Sequence, residues 1–343
     1  MEVWTSPEFD DHEKVMFVAD RETGLRAIIA IHDTTMGPAG GGCRMWPYET
    51  TQAALDDVLR LSRAMTYKLA FIGARYGGGK AVIIGDPHED KTEALLRAMA
   101  RAVDKLAGAM TISEDVGLTV DDLVTFNKET DYVVGLPGQS GDTSPPTAYG
   151  IFCGLKSCIR HGLGKESFDG VHVAIQGLGN VGYRLAERLA TAGGRLTVAD
   201  VVPERVARAE AELGAESVAV DGIYDVEADI FAPCALGGVL NDDTVPRLRV
   251  RVVAGGANNQ LHRDRHADAL HERGILYAPD YVINGGGAIN ASQEKFAYDE
   301  ARIRGEIEAI GGKLDTIFER AAGAGQSPLA VANRMAEEIL GRA

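Results

Sequence analysis

Apolar positions along the chain change period from segment to segment. Residues 15–19 and 25–32 read as strands joined by a turn at Glu22-Thr23-Gly24. A glycine-rich stretch follows, Gly37-Pro38-Ala39-Gly40-Gly41-Gly42. Thr50 or Thr51 can cap a helix whose inward positions, Leu55, Val58, Leu59, Ser62 and Met65, recur at a helical period with one polar break. Residues 81–84 form a short strand and 91–106 an amphipathic helix. The run GLPGQSGDTSPP, residues 135–146, is dense in Gly, Pro and Ser and reads as a loop or hinge. A helix over 147–161 precedes a strand (171–175), a helix (183–192) and a strand (196–199). Short strand runs at 230–231, 250–254 and 276–278 and a largely helical tail from 300 complete the chain, which has no internal repeats or low-complexity tracts.

This pattern predicts an α/β protein of two domains. An N-terminal α/β domain is expected over 1–137 and a Rossmann-like domain over 138–325. A C-terminal helix (326–343) is expected to pack back on the first. The natural active site is a deep interdomain cleft. The 343 residues are enough for about two domains. A net charge of −15 argues against nucleic acid or an anionic membrane surface as partner. No apolar run is long enough to span a bilayer, and the acidic start MEVWTSPEFDDHEK has no signal-peptide core, so a cytoplasmic location is expected. Cys43, Cys153, Cys158 and Cys234 form no CxxC pair and are expected to be reduced and partly buried. His262 and His266 in HRDRH have helical zinc-ligand spacing but lack the HExxH glutamate. They read as a charged, solvated helix face, and no metal is expected.

The most informative motif is Gly177-Leu178-Gly179-Asn180-Val181-Gly182, set between a strand and a helix. Gly177 permits the tight turn, Gly179 lets backbone N–H groups approach a pyrophosphate, and Gly182 lets helix and strand pack closely. The helix N-terminus offers partial positive charge to phosphates. Asp200 lies 23 residues after Gly177 at the end of the next strand, where an acid binds ribose hydroxyls and repels a 2′-phosphate. Val201 and Val202 after it are not basic, so NAD is favoured over NADP, with Arg205 the one nearby cation that argues otherwise.

In the first domain, Lys68 and Lys80 stand in apolar or glycine-rich surroundings. Lys80 follows Gly77-Gly78-Gly79, read as a bare turn that leaves the lysine open to a ligand. A lysine desolvated near a second ammonium can act as a base, while the other holds a carboxylate. An ordinary turn lysine is the alternative. A phosphate loop fails twice, because residue 74 is Ala where Gly is needed and residue 81 is Ala where a hydroxyl is needed. Asp115, in Ser113-Glu114-Asp115-Val116-Gly117, is a candidate proton-transfer group, although a merely solvated acid has the same local appearance.

With these motifs together, the chain resembles the glutamate/leucine/phenylalanine/valine dehydrogenase family, most of all its leucine dehydrogenase branch. The matching segments are residues 27–35 (AIIAIHDTT), 65–68 (MTYK), 77–80 (GGGK), 114–117 (EDVG), 177–182, 232–237 (APCALG), 257–259 (ANN) and 277–284 (YAPDYVIN). They occur in the family's order from about residue 12 to about 340. The resemblance implies reversible, NAD-dependent oxidative deamination of an apolar L-amino acid to a 2-oxo acid and ammonia. It implies that Lys68 holds the substrate carboxylate, Lys80 is the general base that activates water, and Asp115 shuttles a proton to and from the amine. Asn258 is implied at the substrate and nicotinamide end, and Thr147 and Ala235 at the cofactor.

Gly40 and Gly41, with Ala288, are the implied substrate side-chain contacts. Leucine dehydrogenases usually carry leucine at the place of Gly40 and valine at that of Ala288, so the pocket should be larger here unless a neighbouring side chain fills it. This leaves leucine, valine, isoleucine and phenylalanine as candidate substrates. The octamer-building extension of leucine dehydrogenases is missing after Ala343, so a homodimer is expected over an octamer. Two other readings stay open. A hydroxy-acid dehydrogenase would share the NAD unit but needs a His-based relay, and it would oxidise NADH without ammonia. A non-catalytic NAD-binding protein would turn over no amino acid.

Overall fold

The computed structural model describes residues 3–138, 140–294 and 299–342. The chain forms two compact units. The first runs to Asp142 and includes Ile339–Arg342 and the segment from Ala291; the second holds Thr143–Asn290 and Asp299–Glu338. The division thus falls after Asp142 instead of residue 137, because Ser140 is held by Glu294 of the first unit. The last helix, expected to pack whole on the first domain, groups with the second unit up to Glu338. Arg342 beyond it donates to Asp33 at 2.6 Å within the first unit.

The first unit contains β1 (Lys14–Asp20), β2 (Leu25–Asp33), β3 (Ala39–Trp46), α1 (Thr51–Ile72), β4 (Gly77–Ile84), α2 (Glu93–Asp104), β5 (Met110–Glu114) and α3 (Val120–Phe126). Its sheet order is β1-β2-β4-β3-β5, antiparallel through β1, β2 and β4 and parallel from β4 to β5. β2 holds an unbroken apolar run over residues 27–31 because both its faces are covered there. Ile28 and Ala30 pack with Val82 on Leu55, Val58 and Leu59 of α1. Ile29 and Ile31 belong to the opposite core with Met45, Met99 and Phe126. The Thr50 side chain caps α1, and Thr92 caps α2.

The sequence assigns neither glycine-rich segment to a strand and reads the second as a turn. Residues 39–42 lie in a central strand, and Gly77-Gly78-Gly79 is the start of β4, not a turn. None of these glycines has positive φ. Glycine is needed here for clearance: a Cβ on Gly78 would stand 2.0 Å from Thr66 Oγ1, and one on Gly77 2.0 Å from the Asp33 carbonyl. Tertiary contact has overridden the low strand propensity of glycine.

The second unit contains α4 (Ser144–Leu163), β6 (His172–Gln176), α5 (Asn180–Thr191), β7 (Arg195–Ala199), α6 (Pro203–Leu213), β8 (Glu216–Ser217), β9 (Ile230–Pro233), β10 (Val252–Val253), α7 (Arg265–Glu272), β11 (Leu276–Tyr277), α8 (Asp280–Ile283), α9 (Gly286–Ser292), α10 (Glu300–Glu308), α11 (Ile310–Ala324) and α12 (Pro328–Leu340). α9 ends beyond the unit boundary at Asn290. The sheet is wholly parallel in the order β11-β10-β9-β6-β7-β8, the doubly wound Rossmann order, with its switch point between β6 and β9. α4 starts at Ser144, earlier than expected, because proline is tolerated in a first helical turn. The HRDRH segment is no solvated helix face. α7 begins at Arg265, and His266 is buried with Nε2 3.2 Å from Asp242 Oδ1. Among the described residues, no helix is long and apolar enough to cross a membrane.

A buried polar network underlies α1. His12 Nδ1 accepts from the Asp10 N–H, so Nε2, 3.0 Å from the Leu59 carbonyl, carries the proton and donates. The ring is therefore neutral. Burial, and then the neighbouring His32 ring at 4.7 Å, hold His12 down at about 4. An unfolded histidine titrates near ~6.5. As pH falls from ~6.5 towards 4, the unfolded chain takes up a proton that the fold refuses. This contribution is therefore full above ~6.5 and lost on acidification. The urea midpoint should be lower at pH 5 than at pH 7.5, and His12→Gln, which can still donate to Leu59, should shrink that difference.

Candidate active site

Three adjacent strands of the first unit bring the chemistry together. On a strand, alternate residues share a face. Gly78 and Lys80 of β4 therefore face with Val82 towards α1. On β3 the same alternation places Gly40, Gly42 and Arg44 on one face, since Ala39, Cys43 and Met45 lie in the opposite core. On β5 it sets Thr111, Ser113 and the following Asp115 apart from the core residues Met110 and Ile112. Parallel register puts Gly42 beside Ser113 and Gly40 beside both Thr111 and Gly78.

Lys80 and Asp115, 35 residues apart in sequence, form an ion pair at 2.8 Å. Lys80 is only 6% exposed. Arg44 Nε donates to the same oxygen, Asp115 Oδ2, at 2.9 Å. Burial pushes the Asp115 carboxyl up, but Lys80 and then Arg44 pull it down further, and it stays ionised with a value of about 2. The outer arm of Arg44 donates to Asp57 Oδ2 at 2.9 Å, where the Tyr48 hydroxyl also donates at 2.6 Å. Arg60 holds the second Asp57 oxygen at 2.9 Å. Beneath the pair, Gly42 leaves the space that a side chain would take. A Cβ there would meet Asp115 Cβ and the Glu114 carbonyl at 2.8 Å and Lys80 Nζ at 3.0 Å.

Lys68 lies half-buried on α1, two residues beyond the Thr66 that Gly78 packs against. Gly41 is pressed to the β4 backbone: its Cβ would lie 1.9 Å from the Gly79 carbonyl. Gly40 faces the Tyr76 ring, whose atoms would stand 3.5–3.6 Å from an added Cβ, an ordinary contact. The space left by the missing side chain at Gly40 is thus bounded by Tyr76. Sequence reading missed Tyr76, Arg44, Asp57, Tyr48 and Ser113. The spacing Gly40-x-Gly42-x-Arg44 carried the available signal, once residues 39–46 are placed in a strand.

In the second unit the motif residues gather at the carboxyl ends of β6, β7 and β9, on either side of the switch point. Gly177 has φ +92° and packs on Ala235, whose Cβ would be 2.8 Å from one added at Gly177. Gly182 lies so close to the turn that its Cβ would be 2.0 Å from the Gly177 carbonyl. Gly179, the N-cap of α5, is different: a Cβ there would meet nothing within 4 Å. The backbone at Gly179, just before Asn180 and Val181 open α5, thus has free space on the side where an anion would sit on the helix N-terminus. This cradle fits a dinucleotide pyrophosphate. Asp200 is tied into the same loop. Its Oδ2 accepts the Leu178 N–H at 2.6 Å and its Oδ1 the Val202 N–H at 2.8 Å, with Arg205 at 3.6 Å. Thr147 lies in the first turn of α4, its hydroxyl donating to the Thr143 carbonyl at 2.8 Å and packed against Gly287 of α9. Asn258 is exposed, and its Oδ1 accepts from Asn284 at 2.8 Å. Ala288 is half-buried on α9.

A Rossmann-like unit joined to an α/β unit with a buried lysine–aspartate pair defines a two-unit α/β dehydrogenase. Residues 12–136 match the Glu/Leu/Phe/Val dehydrogenase dimerisation domain, and residues 200–336 match the Glutamate/Leucine/Phenylalanine/Valine dehydrogenase model. The chain belongs to the Glu/Leu/Phe/Val dehydrogenase family. It is 50% identical to leucine dehydrogenase of Geobacillus stearothermophilus over 98% of this chain and 93% of that one. It is 47% identical to phenylalanine dehydrogenase of Lysinibacillus sphaericus over 96% and 89%. Among solved structures it is similar to L-tryptophan dehydrogenase from Nostoc punctiforme, with a TM-score of 0.81, 43% identity and 96% of each chain covered.

The glycines of β3 are not equivalent. Gly42→Ala forces its Cβ into a carbonyl and the ion pair, an overpacking typically worth about 1–3 kcal/mol. Gly40→Ala meets only ordinary contact with Tyr76. Thermal melting should therefore show a clear loss for Gly42→Ala and little change for Gly40→Ala.

Proposed function

We propose that the protein catalyses the NAD-dependent, reversible oxidative deamination of an apolar L-amino acid, giving the 2-oxo acid, ammonia and NADH. The observation that carries this reading is the buried Lys80–Asp115 pair at 2.8 Å, in a chain 50% identical to a leucine dehydrogenase. Leucine and phenylalanine dehydrogenases are both similar to it over nearly its full length, as is a tryptophan dehydrogenase. The substrate class is therefore L-amino acids with large apolar side chains.

Bound at the loop from Gly177 to Gly182, NAD would take up the hydride that leaves the substrate α-carbon. Thr147, Asp200, Ala235 and Asn258 are assigned to it with that loop. Lys68 is assigned the substrate carboxylate, with Gly40 and Gly41 leaving room for the side chain; Asn258 and Ala288 join them through the family pattern. Loss of hydride leaves an iminium. Lys80, in its neutral form, withdraws a proton from water as the water attacks that carbon. Asp115 receives a proton from the amine and returns it to nitrogen as the carbinolamine collapses; the hydroxyl proton passes to solvent, and ammonia and the 2-oxo acid are released. Lys80 and Asp115 can exchange a proton directly at their separation of 2.8 Å. Tyr76 beside Gly40 limits the depth of the side-chain space and argues for discrimination among apolar substrates. Self-association through the first unit, as a homodimer, is supported by its match to a dimerisation-domain model and by exposed Trp4 and Phe17.

The test is a panel of L-amino acids with NAD, and 2-oxo acids with NADH in the presence and absence of ammonia. NADH oxidation that needs no ammonia would point to a hydroxy-acid dehydrogenase, and no turnover with any amino acid to a non-catalytic NAD-binding protein. Lys80→Ala should bind NAD nearly as the parent does but lose at least ~100-fold in turnover, within the range of about 10²–10⁴ typical of a general base. Turnover within a few-fold of the parent would remove Lys80 from that role.

Cofactor choice gives a second check. The Asp200 carboxylate disfavours a 2′-phosphate, while Arg205 at 3.6 Å attracts one. The carboxylate should dominate, since Asp200 is nearly buried and Arg205 half exposed to screening solvent. The ratio of kcat/KM for NAD to that for NADP should exceed ~10, given that each 1.4 kcal/mol of discrimination is about tenfold. Equal use of both would overturn the assignment of Asp200.

A further inference from the structure

Arg44 touches the proposed proton shuttle but has no part in the steps above. Its position is fixed from outside the pair. One arm donates to Asp57 Oδ2, and Asp57 is itself held by Tyr48 and Arg60. The other arm donates to Asp115 Oδ2, the oxygen that also faces Lys80 Nζ. Two cations thus share one carboxylate oxygen. They differ in kind: an ammonium can give up its proton, whereas a guanidinium in a protein does not.

This difference has a chemical consequence, which rests on the function proposed above. When Lys80 acts as a base, its starting form is neutral. Asp115 would then be a buried carboxylate beside an uncharged amine, and such a carboxylate tends to take a proton and lose its capacity to accept one from the substrate. The neighbouring groups do not supply the missing charge. Glu114 on β5 is acidic, with its carboxyl pushed up by burial and then by Asp142 and Asp115. Cys43 on β3 is a thiol that burial pushes up to about 12. The Val116 N–H is a single neutral donor to Asp115. Among the described residues, Arg44 is the remaining cation paired with this carboxylate.

We propose that Arg44 is a positioning residue for the reaction: it keeps Asp115 ionised and oriented while Lys80 is neutral, and so sets the pH at which the Lys80–Asp115 pair becomes competent. Lys80 and Asp115, 2.8 Å apart, can hold one proton between them. A fixed positive charge beside them favours release of that proton. Without Arg44 the pair holds the proton more firmly, and competence moves to higher pH.

The experiment compares the parent with Arg44→Gln and Arg44→Lys by kcat and KM for the amino acid, the pH profile of oxidative deamination, and thermal melting. In Arg44→Gln the ascending limb of the profile should move up by roughly one pH unit or more, as one adjacent charge commonly shifts a neighbour by about 1–3 units. Near neutral pH, kcat should fall at least ~10-fold, the change that one such unit represents, while the amino-acid KM stays within a few-fold. Arg44→Lys keeps the charge but reaches one carboxylate only, and should restore the position of the limb with a partial return of kcat. If Arg44→Gln does not fold, the double variant Arg44→Met/Asp57→Asn removes the outer carboxylate along with the cation, and the same shift is expected. A folded Arg44→Gln or double variant with the parental profile and kcat within twofold overturns the proposal. Those outcomes leave the proposed reaction intact, because the parent is active in each of them. A parent that turns over no amino acid sinks the reaction itself and this role with it.

Discussion

The Lys80 ammonium meets the Asp115 carboxylate across a stretch of β3, residues 40–42, that has no side chains, and the packing around it follows from making that meeting fit. A lysine on one strand and an acid at the end of another can touch only if the strand between them carries no side chain at the point of crossing. Gly42 meets the condition, with Glu114 backbone, Asp115 and Lys80 crowding the place of its absent Cβ. The same demand propagates outward. Gly41 and Gly78 let β3, β4 and α1 close on one another, which brings the segment bearing Lys68 down on the sheet. The cost is a weak strand of small residues. Its neighbours offset that cost: β2 is buried on both faces, and β3 has a hydrogen-bonded partner on each side.

The second unit meets a similar steric demand with a different solution. There the glycines do not all serve one purpose. Gly177 takes a positive φ against Ala235, Gly182 takes close packing against the turn, and Gly179 is left open. Only the last points towards a ligand. The other two hold the loop in the shape that leaves its backbone accessible at the head of α5.

The second unit was legible in the sequence because its signal is local. Strand, glycine turn, amphipathic helix and acid follow one another within a short span, each with its own period. The pairing of Lys80 with Asp115 was legible only through family resemblance, since β5 (Met110–Glu114) is short and mixed in polarity and gave no strand signal. Residues 77–79 read as a turn, and residues 39–42 gave no strand signal, for one reason. Glycine runs are turn-formers in isolation, and only the approach of Thr66, Asp33 and neighbouring strands makes them strands. Arg44 escaped notice because its partners lie 13 and 71 residues away. His266 was taken for a surface residue on a charged segment, yet its Asp242 partner comes from 24 residues upstream. What failed in each case was reading as local a property that long-range packing decides.

The bonds made by Asp200 bear on how this protein can change over evolutionary time. Its two oxygens tie the glycine loop at Leu178 to the start of α6 through Val202. The residue proposed to judge the adenosine end of a cofactor is therefore also a fastener of the backbone proposed to cradle the phosphates. A lineage drifting towards a phosphorylated cofactor cannot simply discard the acid. Asparagine removes the negative charge but keeps only one of the two acceptor oxygens, so its amide NH2, a donor, would face one of these N–H groups. The accessible mutational path is narrow, and selection on loop order guards cofactor identity even where selection on the cofactor itself is relaxed.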